Sequence, residues 1–191
     1  MRVIAGKFKG RQLVAPKGMD VRPLADRVKE SLFSILRYEV VDSTFLDLCA
    51  GSGNVGIEAL SRGAGAVTFI DRNSICIKTI IKNLAKCGVS ADDPQVMVLC
   101  MDALKGLTYL SKHQATFDII FLGPPYHSEI LLKSSHQISE LGLLSQNGII
   151  IAEHHRKQYL PDGIQQLKLF RRERYGDAML SFYTENVMSD E

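Results

Sequence analysis

The sequence predicts a doubly wound α/β fold: a mostly parallel sheet with helices on both faces, an antiparallel edge, and a small basic β-hairpin ahead of it. Three observations carry this reading. Apolar runs recur at TFLDLC (44–49), AVTFID (66–71), QVMVLC (95–100), FDIIFL (117–122) and GIIIAE (148–153), and stretches of helical periodicity separate them. The runs are apolar almost without interruption, as strands covered on both faces are. After residue 160 the alternation stops. LKLFRRE and AMLSFYT then follow one another through Arg174, Tyr175, Gly176 and Asp177, the pattern of a closing hairpin.

Each element has its own signal. Residues 2–15, RVIAGKFKGRQLVA, form two short strands around a turn rich in glycine and lysine. Pro16, Gly18 and Pro23 interrupt regular structure after it. A helix is expected from Asp26 to about Val40, with Val28, Leu32, Ile35 and Leu36 on one face and Arg27, Lys29 and Glu30 facing water. Further helices fall near 54–62, 73–87, 103–112 and 128–141. Asn73 fits an N-cap and Gly88 a C-terminal stop. A chain of 191 residues suits one domain with a small appendage. The division expected is a basic extension over 1–25 and the main domain over 26–191.

Composition narrows the classes. Hydrophobic residues make up 46%, enough for an ordinary core. No apolar run approaches the ~20 residues that cross a bilayer, and the start, MRVIAGKFKGRQ, lacks the apolar centre of a secretory signal. A cytoplasmic protein away from membranes is expected. Cys49, Cys76, Cys87 and Cys100 lie far apart, so neither a metal site nor a disulfide framework is indicated. Cys49 and Cys100 sit in strand-like runs and are expected to pack in the core. The net charge is only +2, yet residues 1–37 hold nine Lys/Arg against three Asp/Glu. A basic arm on a slightly acidic body points to a polyanionic partner.

One end of the predicted sheet collects the chemistry. Gly51, Gly53 and Gly56 fit G-x-G-x-x-G between a strand and a helix, and Asp71 ends the next strand, where a carboxylate can accept a ribose diol. Asp102 follows the third strand. After the fourth, Gly123-Pro124-Pro125-Tyr126 makes a stiff ledge, because two prolines fix φ near −65° and remove two donors. Ligands of such sheets bind at the carboxyl ends of the strands. A helix cap or a surface turn is the plain alternative for each aspartate taken alone. A dinucleotide and S-adenosylmethionine compete for this loop. Asp47, four residues before Gly51, suits a ligand with a positive sulfur and amine better than a pyrophosphate.

These residues together resemble the class I S-adenosylmethionine-dependent methyltransferases, and more closely the bacterial enzymes that methylate a guanine N2 in 16S ribosomal RNA. RVIAGKFKGRQL and RPLADRVKESLFSIL resemble the family's N-terminal hairpin and first helix. LDLCAGSGNVGIEALSRGA is similar to its cofactor loop, FIDRN to its ribose-binding strand end, and IAEH and RYGDAMLSFY to its closing segments. GPPY stands where the family has Asp-Pro-Pro-Tyr. The likeness runs nearly end to end, and it implies a Rossmann-like methyltransferase domain with S-adenosylmethionine as cofactor. By position, Asp47 and the backbone around Gly51 and Gly53 would hold the methionine part. Asp71 would bind the ribose, Arg72 and Asn73 would border the adenine, and Asp102 with Ala103 would contact its edge. Gly123, Pro124, Pro125 and Tyr126 would hold the target base. Arg2, Lys7, Lys9, Arg11 and Arg22 of the basic hairpin would lie on RNA. The implied partner is ribosomal RNA or the small ribosomal subunit, approached as a monomer.

The chemistry implied is demanding. An exocyclic base amine is a weak nucleophile, so acceptors must draw its hydrogens aside and aim its lone pair. In the family pattern an aspartate and the first proline carbonyl do this, the tyrosine stacks on the base, and the base must be unpaired or flipped. Here Gly123 offers no side chain. Three explanations stay open: a slow enzyme, a substitute carboxylate such as Glu129 or Glu153, or an inactivating change. His127, His154 and His155 fit surface or packing roles, and Arg171, Arg172 and Arg174 fit phosphate contact or a solvated strand edge equally. The competing readings are a non-catalytic S-adenosylmethionine- or RNA-binding factor, a nicotinamide dehydrogenase, and a methyltransferase acting on another nucleic-acid base. Asp47 and the Pro-Pro-Tyr turn speak against the dehydrogenase.

Overall fold

A computed structural model of the chain describes residues 1–18 and 24–185. Among the described residues eight strands form one sheet: β1 (Thr44–Leu48), β2 (Ala66–Asp71), β3 (Val96–Cys100), β4 (Phe117–Leu122), β5 (Leu144–His155), β6 (Gly163–Ile164), β7 (Leu167–Tyr175) and β8 (Ala178–Thr184), in the order β3-β2-β1-β4-β5-β8-β7-β6. The first five are parallel, and β8, β7 and β6 extend the sheet antiparallel. The helices are α1 (Asp26–Leu36), continued by a 3₁₀ turn at Arg37–Val40, then α2 (Asn54–Ser61), α3 (Ser74–Lys86), α4 (Ala103–Lys112) and α5 (Ile130–Glu140).

Strand side chains alternate between two cores, which is why the apolar runs are unbroken. Phe45, Val67, Phe69, Ile119, Phe121, Ile151 and Phe182 pack with buried residues of α1, α2 and α3. Leu46, Ile70, Ile120, Leu122, Ile150 and Tyr183 pack with α4 and α5 on the opposite face. Asn73 caps α3 by accepting the Ile75 N–H at 2.8 Å, and Gly88 follows its end with φ +76°. The expected hairpin over 167–184 forms as β7 and β8, turned at Gly176 and Asp177.

The two short strands expected over 2–15 do not form: the N-terminal turn is closed by an isolated antiparallel bridge, Arg2 with Gln12, and its side chains Val3, Phe8 and Leu13 join the core of the α1–α3 face. Its backbone is held by α2. Ile4 and Ala5 donate to the Glu58 carboxylate at 2.8 and 3.1 Å, and Lys7 donates to the Ser61 carbonyl at 2.7 Å. Gly6 has φ +83°, and a Cβ there would stand 1.8 Å from the Ser61 oxygen, so only glycine fits this contact.

Two further expectations need correction. Lys29 does not face water. It is fully buried, and its ammonium reaches the Arg2 carbonyl at 2.7 Å, Asn54 Oδ1 at 2.6 Å and Glu58 at 3.0 Å. Cys100 is exposed rather than in the core, because β3 is the sheet's parallel edge and its side chains are only partly covered. Among the described residues no helix is long and apolar enough to cross a membrane.

Candidate active site at the strand ends

The glycine loop leaves β1 and enters α2. Cys49 takes φ +64°, Gly51 +56° and Gly53 +74°, so the chain turns back sharply, and the Ala50 N–H pairs with the Ile70 carbonyl of β2 at 3.0 Å. Gly56 lets α2 lie on β2: a Cβ there would be 2.3 Å from the Phe69 ring. Asp71 ties the loop to the next strand end. One of its oxygens accepts the Gly51 N–H and the other the Asn73 N–H, each at 2.9 Å.

Asp47 is turned inward. It is buried beneath the loop, and its Oδ2 accepts the Gly56 N–H at 2.9 Å. Burial pushes its carboxyl up to about 7, opposed by the Gly56 hydrogen bond and assisted by the charges of Asp71 and Glu153. Gly56 lies in the first turn of α2, so a carboxylate already satisfies an amide that would otherwise welcome a phosphate.

Above the loop lies a cavity of about 620 Å³, within the range of small-molecule sites. Gly51, Asp71, Arg72 and Asn73 line one part of it, Asp102 and Ala103 another, and Gly123, Pro124, Pro125 and Tyr126 the far side. The predicted cofactor and base residues thus meet in one cleft, except Asp47 and Gly53, which lie under its floor. Asp102 also caps α4, its Oδ1 accepting the Leu104 and Lys105 N–H groups at 3.1 and 3.4 Å. Among the described residues, three carboxylates, Asp71, Asp102 and Glu153, and one guanidinium, Arg72, line this space. That donor set fits a cationic ligand with a ribose diol. A pyrophosphate would be repelled by it.

The Gly-Pro-Pro-Tyr turn is fixed from both sides. The Gly123 N–H donates to the Leu48 carbonyl of β1 at 3.2 Å, and the Ser128 N–H to the Pro125 carbonyl at 3.2 Å. The Tyr126 hydroxyl donates to Glu153 Oε1 at 3.2 Å, and its ring meets His155 edge-on at 5.6 Å. A stiff backbone and a braced half-buried ring suit one face of a planar group.

The two substitute carboxylates separate here. Glu129 points to solvent and pairs with Lys133 at 2.6 Å, away from the cleft, whereas Glu153 lines it. Buried His154 bonds to the Ser181 hydroxyl at 2.9 Å, and burial lowers its pKa, so its role is packing. Arg171 pairs with Glu173, Arg172 with Asp162, and Arg174 with the Gly176 carbonyl. In the hairpin, Lys7, Lys9 and Arg11 are exposed, Arg2 stands 3.8 Å from Asp26, and Arg22 lies outside the described residues.

Cys49, Ile70, Cys76, Ser128 and Ile130 also line the cleft, and the sequence reading placed none of them there. Cys49 was expected in the core. It is only partly covered, and burial pushes its thiol up to about 12. Its place directly before the glycine loop, and that of Ser128 and Ile130 directly after the proline turn, were the available signals.

Comparison with known proteins agrees with this architecture. The family model described as "Conserved hypothetical protein 95" matches residues 1–184. The chain is similar to the Bacillus subtilis protein named "Putative rRNA methyltransferase YlbH", 39% identical over 183 residues, 96% of this chain and 98% of the relative. It is also similar to "Ribosomal RNA small subunit methyltransferase D" of Escherichia coli (strain K12), 30% identical over 190 residues, 100% of this chain and 92% of the relative. The solved structure of yhhF from Escherichia coli superposes with a TM-score of 0.83 at 31% identity, covering 96% of each chain.

Proposed function

The chain belongs to this family of bacterial ribosomal RNA methyltransferases, and from that premise we propose that it moves a methyl group from S-adenosylmethionine to the N2 amine of a guanine in small-subunit ribosomal RNA. The observation that carries this reading is the divided cleft: carboxylates at the ends of β2 and β3, and a rigid Pro-Pro-Tyr shelf at the end of β4.

In this reading Asp71 would bind the ribose hydroxyls, Arg72 and Asn73 would border the adenine, and Asp102 and Ala103 would contact its edge; all five line the cleft. Asp47, Gly51 and Gly53 shape the loop that would lie under the methionine part. When bound, the cofactor supplies an electrophilic methyl on a positively charged sulfur. The chain's own task lies on the other side. Tyr126 stacks on a base taken out of its helix, worth roughly 1–3 kcal/mol, and the Pro124 carbonyl accepts one amine hydrogen. The relatives' names support the small ribosomal subunit as substrate. Arg2, Lys7, Lys9 and Arg11 form the arm that would follow the phosphate backbone, with Arg22 extending it.

A second reading has one observation behind it. Gly123 offers no acceptor side chain, which favours a non-catalytic binding factor. One experiment separates the two. Small subunits from cells lacking this protein are incubated with it and tritiated S-adenosylmethionine, and the RNA is mapped by mass. Label on a guanine N2 is the expected outcome. Cofactor binding by calorimetry with no transfer supports the binding factor, and no cofactor binding overturns the methyltransferase reading and leaves the binding factor resting on RNA alone.

A further inference from the structure

We propose that Glu153 is a catalytic residue of this cleft, the carboxylate that accepts a hydrogen bond from the target amine. The inference rests on the base-methylation reading above and deepens it. Its first support is register. β4 and β5 run parallel with Leu122 opposite Ala152, so the next residues, Gly123 and Glu153, emerge side by side at the strand ends. Glu153 lines the same cleft as Gly123 and the proline turn, and Gly123 itself brings no acceptor side chain there.

The second support is separation. Asp71 ends β2, and β1 and β4 lie between β2 and β5. At about 4.8 Å per strand, Asp71 and Glu153 stand roughly 14 Å apart along the edge. Asp71 and Asp102 therefore belong to the cofactor end, with oxygens already on backbone amides. Glu153 belongs to the base end, where its Oε1 holds the Tyr126 hydroxyl at 3.2 Å. The residue that braces the stacking ring is thus the carboxylate nearest a base lying on that ring. A carboxylate has two oxygens and about four acceptor positions, so it can hold the phenol and an amine hydrogen together.

In the reaction the amine lone pair forms the new N–C bond, and the S–C bond breaks with its electrons left on sulfur. The surplus amine proton passes toward Glu153 and on to water. With the Pro124 carbonyl on one hydrogen and Glu153 on the other, the lone pair has one direction left.

The test uses Glu153→Gln, which keeps an acceptor for Tyr126 and removes the charge. Methyl transfer to small subunits is measured at saturating cofactor for the parent, for Glu153→Gln, and for Glu153→Gln combined with Gly123→Asp. Calorimetry gives the cofactor affinity of each. We expect kcat to fall about 10²-fold in Glu153→Gln, as for loss of one charge-stabilising group, with cofactor affinity unchanged. The double variant should recover at least tenfold, the Phe121 ring that would stand 2.9 Å from a Cβ at position 123 giving way; a merely structural role of Glu153, which glutamine keeps by still accepting from Tyr126, predicts no fall in kcat to recover. Parent-like kcat in Glu153→Gln, or no recovery in the double variant, overturns the inference while the functional reading stands. A parent that transfers no methyl to a base sinks the functional reading and the inference with it.

Discussion

Asp47 shows how burial decides what a residue does. An aspartate four positions before a glycine loop reads as a ligand for a cation, but its oxygen is committed to the Gly56 N–H and its carboxyl is pushed up to about 7. An unfolded aspartate titrates near ~3.9. Between that value and about 7 the folded protein holds a proton that the unfolded chain has released, so this group makes stability fall as pH rises across the window. Buried His154, with its lowered pKa, acts in the other direction, since below about 6.5 the unfolded chain takes up a proton that the folded one excludes. The parent's pH profile therefore sums two opposed slopes, and Asp47→Asn isolates one of them. Asparagine can still accept from Gly56. Urea unfolding from pH 4.5 to 7.5 should show the variant gaining stability relative to the parent as pH rises. A constant difference would mean that Asp47 is ionised throughout.

At the scale of elements, the junction of the arm, α1 and α2 is the costly part of the fold. Glu58 is completely buried and accepts from Ile4, Ala5, Arg62 and Lys29, while Lys29 reaches Arg2 and Asn54 as well. Burial lowers the Lys29 pKa, and the Glu58 charge opposes that shift. Lys29→Met leaves Glu58 with Arg62 and two amides but unpairs the Arg2 carbonyl and Asn54 Oδ1. A loss of about 3 kcal/mol in the unfolding free energy is expected from denaturant titration, the lower end for breaking a buried pair. Adding Glu58→Gln should change it by less than the sum of the single effects, because the two residues share one network. None of this was legible in the sequence. A lysine between Arg27 and Glu30 reads as solvent-facing, and its burial depends on an arm that folds back from more than twenty residues away. The strands were legible for the opposite reason. The central apolar runs are covered on both faces by their own neighbours, so local composition reports their burial; edge strand β3, with Met97 and Cys100 exposed, and Cys49 at the cleft escaped it. The cleft was legible as a set of strand ends and illegible in depth, since Asp47 and Gly53 lie below the floor and Cys49, Cys76 and Ile130 form its walls.

For the whole molecule, charge and geometry divide the labour. Residues 1–37 carry a surplus of positive charge and the rest of the chain a deficit, and among the described residues the cleft itself is lined by more carboxylates than cations. On the proposed function, this division would repel RNA phosphates from the chemistry and draw them to the arm, which would hold the backbone while a single base enters. The arm's backbone is fastened to α2 through Glu58 and Ser61, so its exposed Lys7, Lys9 and Arg11 stand at fixed places relative to the strand ends. Each phosphate neutralised releases counterions, and the logarithm of affinity falls with the logarithm of salt by about 0.7 per contact on single strands. Replacing Lys7, Lys9 and Arg11 together by alanine should weaken binding to small-subunit RNA and flatten the salt slope by about 2. Cofactor affinity should not change, since none of the three lines the cleft. Fluorescence anisotropy with labelled RNA between 50 and 300 mM salt measures the slope. An unchanged slope would mean that the phosphates lie elsewhere, with the arginines of β7 the next surface to test, although each of these is already engaged by Glu173, Asp162 or the Gly176 carbonyl.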